Sequence, residues 1–421
     1  MDKQTENTGS ARTGLSKIKT FESFQSPAYS MYYGSMAANF FAMNMLMIVR
    51  FLLIFRLSGS SGITGALALA NTVPTLVMAL IGGTLADRMP KKNLLIIGRT
   101  GLAVLALLVA VLLSTGYLSA DRPGSWWILI ITAVFEGALN GMIWPTNMSI
   151  IPEIVSKERV MNAIFLSTMG QNVFRLLGPA IAGFLIDAVG FSADYYFMTG
   201  LYLISLIFTL FLPRVVVTRT SKGTLLEDTM QGLRHLGRDT GMLLIMLFTL
   251  CHVISGHPFN QLLPVFTDTV LQISASKLGL LTSVSGAGAL VFSLIFASFP
   301  MRRRGLLLLT SGIVMGIPVI MFLYIHQWWV SLLMMVFIGL GQTMHGGFAS
   351  TLIQTYAEPN YRSRMQSFIM VGASLAGFGT FGAGMLAEAV GIQTALAGFA
   401  VFLTVITFIF MIFGTRLMKM D

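Results

Sequence analysis

"GGTLADRMPKKN", residues Gly82 to Asn93, places an aspartate, an arginine and two lysines between two long apolar segments. The composition of the whole chain explains why this cluster stands out. Hydrophobic residues make up 55% of the 421 residues and charged residues only 10%, whereas an ordinary soluble domain has about 25% charged residues. The sequence therefore predicts an all-α membrane protein, in which this stretch is a loop between two membrane-spanning helices.

A helix of ~20 apolar residues crosses the hydrocarbon core of a bilayer, and the chain divides into twelve such segments. The predicted spans are 32–57, 62–86, 93–115, 125–149, 159–188, 193–213, 241–268, 276–300, 305–325, 328–355, 363–390 and 394–415. Cytoplasmic tails are expected at 1–31 and 417–421. The polar stretch 214–240 separates two six-helix bundles, 32–213 and 241–416. Apolar residues at near-helical spacing in this linker fit an amphipathic helix on the membrane surface or a plain tether.

The basic residues predict the orientation, because Lys and Arg concentrate in cytoplasmic loops. With the N-terminus in the cytoplasm, all 27 Lys and Arg residues fall in cytoplasmic segments except Arg50, Arg56, Arg99, Arg122, Arg175 and Lys277. Both termini are therefore expected in the cytoplasm. The formal charge of +10 follows from these loops, so no nucleic-acid partner is expected. The single cysteine, Cys251, excludes a disulfide framework and a thiolate metal cluster.

The two halves of the chain repeat each other. "GMIWPTNMSIIPEIVSKERVM" and "GGFASTLIQTYAEPNYRSRMQ" align at one fixed offset that matches Glu153 with Glu358. After a shift of one helical turn, "GFLIDAVG" matches "GMLAEAVG" and sets Asp187 against Glu388. A parallel duplication of six spans is the arrangement of one large class of secondary transporters.

The opening stretch resembles the loop signature of the major facilitator superfamily, G-x-L-a-D-r-x-G-r-k. The matching residues are Gly83, Leu85, Asp87, Arg88, Lys91 and Lys92. Pro90 stands where the signature has glycine, so the turn must be made differently. In that family the cluster forms a latch between the two halves on the cytoplasmic face. The second-half counterpart, "SFPMRRRG", has three arginines and no acid, so a one-sided latch is expected. A plain positive-inside loop would explain the lysines but not Asp87.

A second motif, "NVFRLLGPAIAGFLID" in the fifth span, resembles a motif of the exporting, proton-antiporting members of the superfamily. Gly178, Pro179 and Gly183 match its G-P-x-x-G-G core, and Ala182 replaces one glycine. Proline removes a backbone donor and small residues permit close packing. A bend that seals one end of a cavity is expected, with a purely structural kink as the alternative. Looser patterns resemble the branch that contains macrolide-efflux proteins and the enterobactin exporter.

Charged residues inside a bilayer are unfavourable unless they are paired or hydrated, so those within spans are functional candidates. Glu136 lies near the middle of the fourth span, Arg50 deep in the first and Arg175 near the middle of the fifth. These three are the proton-coupling candidates. Glu136 could exchange a proton as the cavity changes sides, or form a static pair with Arg50 or Arg175. Arg99, near the cytoplasmic end of the third span, is grouped with the loop cluster.

The resemblance implies that the first, fourth, seventh and tenth spans line a central cavity. The substrate-cavity candidates on these spans are Asn39, Met43, Asn44, Met47, Asn140, Trp144, His252, His257, Asn260, Gln261, Gln342 and His345. Amides with methionine and aromatic surface suit a bulky amphipathic organic solute. No carboxylate flanks the histidines at metal-ligand spacing. They are therefore expected to line the cavity or to form helix–helix hydrogen bonds, and no metal site is expected.

These features predict a twelve-span major facilitator transporter in a prokaryotic plasma membrane, monomeric and without a cofactor. It would export a drug-like or siderophore-like compound in exchange for protons. An uptake symporter, a facilitator and a lysophospholipid flippase are alternatives on the same fold. A non-transporting receptor or assembly partner and a bilayer-embedded enzyme are alternatives of other classes, and neither a large loop nor a convergent catalytic motif supports them.

The charge of the substrate is left open by the sequence. Arginines with histidines in the cavity would favour an anionic solute, and Glu136 would favour a cationic one.

Overall fold

A computed structural model describes residues 22–86, 89–156, 159–213, 240–298, 302–356, 372 and 375–420. The first bundle consists of α1 (Pro27–Ser58), α2 (Ser61–Ala86), α3 (Lys91–Ser114), α4 (Trp127–Ile154), α5 (Val160–Ala188) and α6 (Phe191–Leu210). The second consists of α7 (Thr240–Phe266), α8 (Ala275–Ser298), α9 (Arg304–Tyr324), α10 (Trp328–Tyr356), α11 (Ala376–Val390) and α12 (Ile392–Phe413). These twelve helices confirm the predicted fold class. Most of the predicted linker, residues 214–239, lies outside the described residues.

The first helix begins at Pro27 rather than at residue 32, because a polar residue caps it. The hydroxyl of Ser26 accepts a hydrogen bond from the Tyr29 amide at 3.4 Å, and proline at the first helical position needs no amide partner. At the other end Gly59 has a φ of 65°, the left-handed conformation that commonly ends a helix. Because α2 begins at Ser61, the first loop is very short.

Ten of the twelve helices are long and apolar enough to cross a bilayer, judged over the described residues. The other two are α5 and α11. Helix α5 carries Gln171, Asn172 and Arg175 within its length, and α11 is described continuously only from Ala376. Both helices lie at the contact between the bundles, where polar and small residues face protein instead of lipid.

The two bundles meet through equivalent pairs of helices. Helix α2 packs on α11, and α5 packs on α8, while α1 meets α7. Under the internal repeat α2 corresponds to α8 and α5 to α11, so the two main contacts are copies of each other.

We define the outer ends as the helix ends next to the loops at 59–60, 115–126, 189–190, 272–274, 325–327 and 391, following the predicted orientation.

Close approach at these contacts depends on glycine. A Cβ atom at Gly279 of α8 would collide with the carbonyl oxygen of Pro179 on α5. On the opposite contact, a Cβ atom at Gly384 of α11 would lie 2.6 Å from the carbonyl oxygen of Ser61. Small residues therefore let the bundles pack at backbone distance near their outer ends.

The substitution Gly279→Leu should lower the stability of the protein by about 1–3 kcal/mol, the usual range for overpacking, because the side chain would meet rigid backbone. Thermal unfolding of the purified protein in detergent measures this loss. Gly200→Leu in α6 is the matched control, since nothing lies within 4 Å of a Cβ atom there. Equal melting temperatures for the two variants would contradict the tight contact.

Candidate functional site

The central polar feature of the first bundle is an ion pair between Arg50 of α1 and Glu136 of α4. Arg50 Nη1 donates a hydrogen bond to Glu136 Oε2, and the two residues are only 8% and 4% exposed. Either charge alone would be strongly unfavourable at this depth, so each neutralises the other. The sequence left the partner of Glu136 open between two arginines. Among the described residues its ion-pair partner is Arg50, and Arg175 bonds elsewhere.

Arg175 of α5 has a neutral partner. Its Nη2 donates to Oε1 of Gln342 on α10, and Gln342 Nε2 donates to Oδ1 of Asn260 on α7 at 3.1 Å. We define Arg175, Gln342 and Asn260 as the cross-bundle chain, because it runs from the first bundle into the second. His257 of α7 and Arg175 are both exposed. The cross-bundle chain thus has exposed surface, at Arg175, where the two bundles meet.

The other cavity candidates on α1, α4 and α7 lie in mixed surroundings: Met47 is exposed, Met43, Asn44, Asn140, Trp144 and Gln261 are half-buried, and Asn39 is buried. The amide of Asn44 donates to the carbonyl oxygen of Phe40 at 2.7 Å, one turn earlier in the same helix. Trp144 packs edge-to-face on the Phe40 ring, with 5.7 Å between the centroids. These two side chains thus serve their own helices and the packing of α1 on α4.

Two of the predicted cavity histidines are buried against each other. The rings of His252 on α7 and His345 on α10 stack with 3.8 Å between centroids and 2° between planes. Phe248 borders both rings. His252 Nδ1 and His345 Nε2 have no hydrogen-bond partner among the described residues. The pair is therefore a stacked contact between α7 and α10, whereas His257 is exposed.

Arg99 of α3 is the centre of a buried network that joins helices of the first bundle. It is 0% exposed, and it donates to Thr209 Oγ1 on α6 and to Asn147 Oδ1 on α4 at 3.3 Å. The hydroxyl of Ser35 on α1 lies 2.7 Å from that of Thr209. The network joins four helices. The burial of Arg99 follows from the face of α3 on which it lies, which its nearness to a span end does not reveal.

The described lysines of the predicted latch bind within the first bundle. Lys91 forms an ion pair with Glu153. Lys92 Nζ donates to the carbonyl oxygens of Leu210 and Leu212, each at 2.6 Å, and so binds carbonyls left unpaired at the end of α6. Asp87 and Arg88 lie outside the described residues, and Gly83 lies within α2. The latch between the halves therefore stays a prediction.

The segment of α5 with the predicted bend lies between two helices. A Cβ atom at Gly178 would lie 2.8 Å from Cβ of Asn44 on α1, and one at Gly183 would collide with the carbonyl oxygen of Ala275 on α8. Helix α5 runs unbroken through Pro179. The small residues thus provide close packing of α5 on both sides, and the sealing role of the motif stays a prediction.

Two carboxylates that the internal repeat aligns, Asp187 and Glu388, bridge the bundles at their outer ends. Asp187 of α5 accepts hydrogen bonds from the amides of Ala275 at 3.1 Å and Ser276 at 2.7 Å, where α8 begins. Glu388 of α11 accepts one from the amide of Gly62 at 3.0 Å, where α2 begins. Each acid thus satisfies amides at a helix N-terminus and interacts favourably with its partial positive charge. We define these two contacts as the outer caps.

A third outer contact joins α1 to the end of α7. Arg56 Nη2 lies 2.9 Å from Asp268 Oδ1. Because the two side chains are 39% and 26% exposed, this surface pair contributes little to stability on its own.

The internal repeat in the sequence aligned Asp187 with Glu388 but assigned neither a role. Alignment of the two halves does not show which helix an acidic side chain contacts.

The chain matches the family model described as Major Facilitator Superfamily over residues 32–380. It is 25% identical, over 81% of this chain and 82% of the relative, to the uncharacterized MFS-type transporter YfiS of Bacillus subtilis (strain 168). It is 24% identical to the staphyloferrin A transporter of Staphylococcus aureus (strain NCTC 8325 / PS 47), over 55% and 57% of the two chains. Its identity to the quinolone resistance protein NorA of Staphylococcus aureus (strain Mu50 / ATCC 700699) is 27%, over 38% of each chain.

Among solved structures, the nucleoside transporter NupG superposes with a TM-score of 0.75 at 16% identity, covering 92% of this chain and 99% of that chain. This likeness shows the fold alone. The membrane-spanning helices and the bacterial relatives identify an integral membrane protein of the bacterial plasma membrane. The fold and the relatives are those of small-molecule transporters and not of enzymes.

Removing both outer caps, Asp187→Ala with Glu388→Ala, should favour a state open at the outer ends, because alanine cannot accept the hydrogen bonds of the helix amides. Each cap contributes about 0.5–2 kcal/mol, so the open population should rise severalfold. In a Cys251→Ala background, a reporter at Thr72→Cys, opposite Gly377 on the α2–α11 contact, should react faster with a membrane-impermeant maleimide added from outside.

A second reporter, Thr115→Cys at the exposed outer end of α3, controls for access of the reagent and should react equally in all variants. An unchanged rate at position 72 in the double variant would contradict a role of the caps in holding the outer ends together.

Proposed function

The chain belongs to the major facilitator superfamily, and we propose that it is a secondary active transporter that exports an amphipathic organic compound in exchange for protons. The substrate would be drug-like or siderophore-like. Support comes from the relatives named as a staphyloferrin A transporter and as a quinolone resistance protein. The protein would act as a monomer with both termini in the cytoplasm. The observation that carries the proposal is the buried Arg50–Glu136 ion pair.

The ion pair supplies the chemistry of the proposed proton step. A proton taken from water onto the Glu136 carboxylate neutralises it and leaves the Arg50 guanidinium without its partner. Loss of one charge from a buried pair typically destabilises a protein by about 3–5 kcal/mol. Protonation therefore favours a conformation in which Arg50 gains water or another anion. Since α1 also contacts α7, this change reaches the boundary between the bundles.

The outer caps support alternating access by rocking of the two bundles. They hold the outer ends together, and Asp187 and Glu388 are both exposed, so water can replace the helix amides when the bundles part. Separation of the bundles at the outer ends therefore does not leave a buried charge without a partner. Such rigid-body movement around a central site is how folds built from two repeats give access to each side in turn.

The space between the bundles suits an amphipathic solute. Met47 is 37% exposed and offers a flexible apolar surface, which adapts to irregular shapes. The cross-bundle chain adds polar groups at defined positions. A pocket that combines apolar surface with a few fixed polar groups is typical of sites for organic ligands.

Uptake of amphipathic dyes into inside-out proteoliposomes, driven by a proton gradient, tests the proposal. We expect gradient-dependent uptake with the intact chain. Glu136→Gln should lower the initial rate at least tenfold, because glutamine can still accept the hydrogen bond from Arg50 but cannot exchange a proton. Asp121→Asn is the matched control, since this acid lies in an outer loop beside Ser119.

The outcomes separate the parts of the proposal. Uptake that needs the gradient but survives Glu136→Gln would move proton coupling to another group, first to His257. Uptake that ignores the gradient would indicate a facilitator, and transport only in the opposite orientation would contradict export. Counterflow with preloaded vesicles separates loss of coupling from loss of substrate binding.

A further inference from the structure

Arg175 differs from the other arginines inside the described spans. Arg50 and Arg56 pair with carboxylates, and Arg99 is enclosed without solvent contact. Arg175 is exposed, and its hydrogen-bond partner is a neutral amide. None of the carboxylates in the described part of the chain forms an ion pair with it. The space between the bundles therefore contains a positive charge that the described chain does not neutralise.

The hydrogen bonds fix which way the neighbouring amides point. A guanidinium can only donate, so the atom of Gln342 next to Arg175 must be its oxygen. The amide nitrogen of Gln342 is then at the other end, so the atom of Asn260 that meets it must also be oxygen. The Asn260 nitrogen is left pointing away with two N–H groups. The cross-bundle chain thus presents spare N–H donors, and each of its amide oxygens already accepts a hydrogen bond from another member of the chain.

The positive charge of Arg175 narrows the class of ligand further. Glu136 is neutralised by Arg50 and does not attract a cation. Arg175 carries one positive charge, and its planar fork of N–H groups matches the two oxygens of a carboxylate. A monoanion balances this charge, whereas a doubly charged phosphate monoester would leave an excess negative charge in a site poor in cations.

We propose that Arg175, Gln342 and Asn260 bind a carboxylate of the transported compound, which is therefore an amphipathic organic anion. This inference rests on the proposed transport function and names its substrate class. His257 and Met47, which are also exposed, are further candidates for contact with the compound. The carboxylate competes with Gln342 for the guanidinium. Because these two residues belong to different bundles, ligand binding replaces a bond that joins the bundles.

Equilibrium binding to the purified full-length protein tests the site. The probes are 6-(nitrobenzoxadiazolyl-amino)hexanoate and its primary amide, which has nearly the same shape but no charge. The intact protein should bind the carboxylate at least tenfold more tightly than the amide. Arg175→Gln should abolish this preference while leaving the affinity for the amide within about twofold, since glutamine can still hydrogen-bond to Gln342. Arg175→Lys should retain part of the preference.

Arg122→Gln is the matched control, because it removes the same charge from an outer loop where Arg122 stacks on Tyr117. It should leave the preference unchanged. Intact protein that binds both probes equally, prefers the amide, or binds neither overturns the proposal, as does a preference that survives Arg175→Gln. Binding is measured without a gradient, so failure of proton-driven export would not alter this result. Gradient-driven uptake without a carboxylate preference would overturn the anion site alone.

Discussion

The Arg50–Glu136 ion pair determines how the first bundle is built, because neither charge is tolerated alone inside a membrane. It fixes α1 against α4, and the Arg99 network joins α1 to α3, α4 and α6. In the second bundle the equivalent helices, α7 and α10, meet through the stacked rings of His252 and His345. The two halves share a backbone arrangement, but one is held by charge and the other by stacking. In the charged half, a proton on Glu136 would leave Arg50 without a charged partner.

The contacts between the bundles are of a different kind. At the outer ends each bundle contributes one carboxylate and one helix N-terminus. The carboxylate of each bundle accepts from the helix N-terminus of the other, so the two outer caps are equivalent under the internal repeat. These bonds can be replaced by water when the bundles separate. Glycines beneath them bring the backbones together, and close packing of this kind is lost as soon as the helices part. Lys91 and Lys92 instead bind within the first bundle. The contacts that would open during transport thus lie at the outer edge of the bundles, whereas the Arg99 network and the Arg50–Glu136 pair are buried within one bundle.

The sequence predicts the fold because hydropathy is summed over long segments. Twelve spans, two halves and the repeat follow from composition and spacing, and one wrong residue does not change them. The site is harder to predict because it depends on which face a helix presents. Arg50, Glu136 and Arg175 were recognised as isolated charges within spans, but depth along a helix does not reveal the partner. The same limit placed Arg99 with the loop and treated His252, His257 and His345 as one group.

Substrate charge determines how much the membrane potential contributes to the proposed exchange. Each elementary charge that crosses the membrane gains or loses about 2.3 kcal/mol per 100 mV. For a cationic substrate, one charge leaving and one proton entering would cancel, and only the pH difference and the substrate gradient would act. With a carboxylate bound at Arg175 and a proton carried by Glu136, the outward movement of the anion and the inward movement of the proton both follow the inside-negative potential. An uncompensated arginine between the bundles, together with an acid that Arg50 already neutralises, thus favours a cycle in which voltage drives both movements.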